Sequence, residues 1–153
     1  MAYRAKSIET RDWAPPRKYI GQVMAIHATV RRLLTMDIGS YAVPEMERAL
    51  GLGVNDWAAL PRGAVVATGR LVGAYQAEEW IPFEDAVIIS GCVEGSPPRN
   101  ELVLRPGEPY FGNYEFGRWL WVFEDVIAVD PPIAAKGRQG IWIWGGEANA
   151  RMG

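Results

Sequence analysis

The sequence predicts an α+β fold, a small mixed β-barrel that also carries helices. Three observations predict it. Six segments have the apolar content and alternation of strands, and the long one over 64–75 contains Gly69 and Gly73, residues suited to the bends of a sheet that curls on itself. Two helical segments come early, and no strand–helix–strand rhythm follows them, which argues against a doubly wound sheet. The chain has 153 residues, of which 49% are hydrophobic. That is the size of a single domain, here residues 1–153, able to bury one core without metal or disulfide support.

Taken in order, residues 7–13 alternate as a short strand, with Ile8 facing one way and Glu9 and Arg11 the other. Ala14-Pro15-Pro16 forces an extended stretch. Residues 21–28 read as a buried strand that ends at His27. Residues 29–37 suit a helix, with Thr29 as its N-cap and Gly39 past its end. A second helix is expected over 43–50, opened by Pro44 and ended by Gly51 and Gly53. Pro61-Arg62-Gly63 is a turn into a strand over 64–75, and residues 86–93 form another. Residues 95–113 are loop-rich. Residues 117–129 are apolar on both faces, as in a strand covered on both sides, and Asp130-Pro131-Pro132 is expected to stop it. A last strand is expected within 137–144, and 145–153 read as a loose tail.

Charge narrows the function classes. The net charge is −2, which argues against strong non-specific DNA binding. Its distribution is uneven. Residues 1–33 hold Arg4, Lys6, Arg11, Arg17, Lys18, Arg31 and Arg32 against Glu9 and Asp12, a local excess of +5. Such a chain can offer one positive face to a phosphate while remaining acidic overall. Cys92 and His27 are the only residues of their kinds, so an internal disulfide and a cysteine- or histidine-rich metal site are excluded, and no cofactor is expected. The charged N-terminus lacks the apolar run of a signal peptide. No segment approaches the roughly 18 apolar residues of a membrane span. The expected location is the cytoplasm.

Five motifs in order then carry a resemblance. Lys6-x-x-Glu9-x-Arg11 is followed by Trp13; Tyr19-x-Gly21 leads to Ile26-His27-Ala28; Leu60-Pro61-Arg62-Gly63 precedes Ala64-Val65-Val66-Ala67; Gly117-Arg118-Trp119-Leu120-Trp121 is followed by Glu124-Asp125; and Gly137-Arg138-Gln139-Gly140-Ile141-Trp142 comes last. Together they resemble the ASCH family, whose signature reads G-x-K-x-x-E-x-R. The signature's opening Gly falls on Arg4. The strand and helix that usually precede it have no counterpart here, so either the start is displaced or the first element is missing. The resemblance implies a PUA-like barrel with helices at its rim and a cleft lined by the signature. It also implies RNA or nucleotide binding, with deacylation of an acetylated cytidine and ribonuclease activity known among relatives.

The candidate ligand-binding residues are Lys6, Glu9, Arg11, Trp13, Tyr19, His27 and Arg118. Arginine offers a planar fork to phosphate oxygens and lysine a mobile charge. The same spacing also fits a structural ion pair between Glu9 and Arg11. Trp13 and Tyr19 could stack on a single-stranded base, worth roughly 1–3 kcal/mol, or Trp13 could close one end of the barrel. His27 suits either a hydrogen-bonded rim position or a phosphate contact. If the chain is a hydrolase, Glu9 as general base beside Lys6 is the catalytic pair. No metal is expected. The expected partner is RNA, single-stranded nucleic acid or a nucleotide. The second alternative is a protein-interaction module built on the seven tryptophans, with no partner identified.

Overall fold

The computed structural model describes residues 7–28, 63–105 and 113–136, with the backbone of 142–143 and 151–152. Eight strands form in chain order: β1 Ile8–Arg11, β2 Val23–Ala28, β3 Ala64–Ile81, β4 Ala86–Cys92, β5 Glu101–Val103, β6 Trp119–Ala134, β7 Trp142–Ile143 and β8 Arg151–Met152. The only helical turns among the described residues are the short 3-10 segments Arg17–Tyr19 and Pro82–Glu84. The helices expected over 29–37 and 43–50 lie outside the described residues.

The strand order corrects the predicted architecture. The sheet runs β1-β6-β3-β2-β8-β7, with β4 beside β3 and β5 beside β4. Among the described residues β1, β5 and β7 each end the order, so the sheet is open and the predicted barrel with helices at its rim is not what forms. β1–β6, β3–β4, β4–β5 and β7–β8 pair antiparallel, and Met24–Ala25 makes a short parallel contact with Arg151–Met152, inside the stretch predicted to be a tail.

The misreading has a local cause in Gly73. A Cβ on this residue would lie 2.7 Å from the Tyr75 hydroxyl oxygen. The glycine makes room for the tyrosine ring rather than turning the strand, and β3 continues to Ile81. The register shifts come later, between Gln76 and Glu79. Likewise β6 does not stop at Asp130 but runs through Pro131 and Pro132. Its described pairing with the β1 segment ends at Phe123, bonded to Ser7.

Two compact units divide the chain, with boundaries among the described residues at Gln22/Val23, Gly69/Arg70 and Glu124/Asp125. In the first, Ala25 and Val65 are buried with Val129 and Ala135 packed against them. In the second, Ile8, Tyr75, Ala77, Val87, Leu102, Leu104, Tyr114 and Leu120 form one cluster. β1 pairs with β6 so that Ile8 faces Val122, Glu9 faces Trp121, and Arg11 faces Trp119. Alternation therefore puts Ile8, Leu120 and Val122 on one face and Glu9, Arg11, Trp119 and Trp121 on the other. Trp121 is 1% exposed. Trp13 meets its ring edge-on at 4.8 Å, and the Trp121 indole N–H donates to the Trp13 carbonyl.

Tyr75 anchors the second unit's polar side. Its hydroxyl donates to the Pro97 carbonyl at 2.6 Å. Burial pushes its phenol above the ordinary value, and the nearby Arg99 charge opposes that shift without cancelling it. A raised folded-state value means the unfolded chain ionises first. Its contribution is complete below about pH 10 and is lost as pH climbs through the folded value. Tyr75→Phe should cost about 1 kcal/mol at neutral pH through the lost hydrogen bond and flatten the alkaline fall in stability, as read by urea unfolding across the alkaline range.

Candidate functional site

The described part of the predicted site is held by structural contacts. Glu9 and Arg11 form an ion pair at 3.6 Å, each more than a third exposed. At that distance and exposure it is worth at most about 1 kcal/mol. The Arg11 Nε is buried without a hydrogen bond, as is that of Arg118, whose Nη2 reaches the Thr10 carbonyl at 3.5 Å. Trp13 is occupied by Trp121. Tyr19 closes a 3-10 turn, with the Lys18 ammonium 5.1 Å from its ring centroid. Lys6 lies outside the described residues, so the proposed pairing of Lys6 with Glu9 has no geometry to report.

His27 belongs to the first unit, whereas Glu9, Arg11, Trp13, Tyr19 and Arg118 belong to the second. Its Nε2 lies 2.7 Å from the Ala135 carbonyl oxygen. A carbonyl only accepts, so Nε2 carries the proton, and the ring ties β2 to the residue after β6.

A different set of side chains converges. In the second unit, Arg17, Ile20, Gly21, Arg70, Val72, Gly95, Pro97, Arg99 and Glu124 line an open groove of about 460 Å³. This lies within the usual range for ligand sites. Two loops and two strands build it. The first loop follows the Arg17–Tyr19 turn and docks on β3: the Gly21 N–H donates to the Leu71 carbonyl, and the Leu71 N–H donates to the Gln22 carbonyl. Gly21 has φ +89°, a conformation natural only to glycine.

Ser96 positions the second loop. This buried hydroxyl accepts from the Ala74 N–H at 2.9 Å, and the Val93 N–H donates to the Ala74 carbonyl. Gly95, at φ +96°, makes the turn just before it. Tyr75 then fixes Pro97, and the Arg99 guanidinium lies 6.0 Å from the Tyr75 ring centroid. Arg70 and Val72 alternate on β3 with buried Leu71, and Glu124 comes from β6.

Carboxylates order two of the arginines. Arg17 Nη1 donates to Glu94 at 2.7 Å, and Arg70 Nη2 lies 3.5 Å from Glu124 Oε2. Three guanidiniums in one concavity suit a ligand rich in anionic oxygens. Arg17 is one of the N-terminal cations and Glu124 falls in the fourth motif, whereas Arg70 and Arg99 stand in no pattern of the sequence. Glu9 and Arg11 do not line the groove. They share a face with Trp121, whereas Glu124, three residues further along β6, belongs to the other face by alternation.

The predicted tryptophan surface is only partly described. Trp121 and Trp13 pack on each other, Trp80 is exposed at the end of β3, and Trp57 and Trp144 lie outside the described residues. Among the described residues, no three of His, Cys, Asp and Glu gather as metal ligands, and no helix is long and apolar enough to cross a membrane. The chain matches no family model and no curated protein.

Ser96→Ala should cost about 1–3 kcal/mol, because it strands the buried Ala74 N–H, and should loosen the loop that carries Arg99. Glu9→Gln should change stability by less than about 1 kcal/mol. Denaturant midpoints with unchanged slopes, and faster amide exchange at Ala74 in the serine variant alone, would verify both.

Proposed function

We propose that this protein binds RNA, as a single strand or a nucleotide, through its phosphate groups, in the groove of the second unit. The observation that carries the reading is the convergence of Arg17, Arg70 and Arg99 on one concavity in a chain of net charge −2. An arginine–phosphate contact is a charge-assisted hydrogen bond, worth about 1.5–3 kcal/mol. Three arginines give the groove an excess of cations even with Glu94 paired to Arg17 and Glu124 paired to Arg70. The ordered motifs that resemble the ASCH family favour the same ligand class, and membership of that family is part of the proposal. The expected setting is the cytoplasm, where an exposed thiol such as Cys92 stays reduced.

The groove is open and loop-walled, which suits an unpaired strand better than a duplex whose bases are stacked away. Fluorescence anisotropy with a labelled uridine oligomer of about ten nucleotides tests the reading. Binding should weaken steeply between about 50 and 200 mM salt. Arg17→Ala, Arg70→Ala and Arg99→Ala should each weaken it about tenfold to a hundredfold, and each should flatten the salt dependence. Affinity that ignores salt, or that survives all three substitutions together, would refute the proposal.

A further inference from the structure

We infer that Glu124 makes the groove selective for a ribose over a deoxyribose backbone; the inference rests on the reading of the groove as an RNA- or nucleotide-binding site. The hydrogen-bonding side chains of its lining are Arg17, Arg70, Arg99 and Glu124. Guanidiniums only donate, and an ionised carboxylate only accepts. A ligand in the groove therefore meets three donors and one acceptor side by side.

The two nucleic-acid backbones differ in how they answer this set. Both present phosphate oxygens to the arginines. Only the ribose 2′-hydroxyl adds a backbone donor for the carboxylate. Bases also carry donors, but none of the lining side chains is aromatic, so the groove offers no ring on which a base would stack. The ion pair with Arg70 uses Oε2 of Glu124. A carboxylate has acceptor capacity on both oxygens, so Oε1 can take a hydroxyl while the pair persists. A glutamate among phosphate-binding arginines repels every phosphate. In a site that reads phosphate alone it only weakens binding; in one that also reads a hydroxyl it has a task.

Three labelled uridine oligomers of equal length test this: ribose, deoxyribose and 2′-fluoro, the last keeping a ribose-like sugar shape without the donor. The wild-type protein should bind the ribose oligomer about tenfold more tightly than either of the others. In Glu124→Ala that ratio should collapse to about one, whatever the change in absolute affinity that follows from releasing Arg70. Glu124→Gln keeps an acceptor oxygen without the charge and should retain part of the preference. Equal wild-type affinity for all three, or a preference that survives Glu124→Ala, overturns the inference and leaves the groove's phosphate reading intact. Absence of binding to any of the three overturns both.

Discussion

The pairing of β3's backbone at Leu71 and Ala74 is the constraint on which the second unit's groove depends. At these residues loops, not regular strands, supply the partners. Gly21 and Gln22 satisfy Leu71, and Val93 with the Ser96 hydroxyl satisfies Ala74. Buried amides must find partners, so both loops are drawn onto the strand. Arg17 and Arg99 arrive as a consequence, one ahead of each docking point and one just past it. A concavity walled by loops but referenced to a strand combines exposed cations with fixed positions.

Local pattern made most strands legible and long-range pairing made the architecture illegible. Val23–Ala28, Ala86–Cys92 and the start of β6 follow from apolar runs with β-branched and aromatic residues. Closure of a sheet is decided elsewhere, by which strand meets which. Gly73 was open to two readings because a glycine that admits a neighbouring ring and one that bends a strand look identical in sequence. Pro131 and Pro132 misled for a similar reason: proline ends a strand only where its missing N–H is needed.

The candidate site was legible only in its chemistry. The Lys6-x-x-Glu9-x-Arg11 segment drew attention because its charges are close in sequence. The structure instead sets Glu9 against Arg11 beside Trp121 and gathers Arg17, Arg70 and Arg99 from separate segments. No spacing rule links those three. The one available signal was the excess of cations in residues 1–33, to which Arg17 belongs. Arg70 and Arg99 stand in unremarkable contexts, beside Gly69 and after Pro97-Pro98, and acquire meaning only through the fold.

The close fit at Gly73 constrains two positions at once. The tyrosine hydroxyl that crowds it is tethered at 2.6 Å to a carbonyl, so a methyl group there would have to push the ring off that bond. Positions 73 and 75 are therefore a coupled pair. A side chain gained at the first is best accommodated by a smaller residue at the second, so the cost of changing both should be less than the sum of the two costs taken singly.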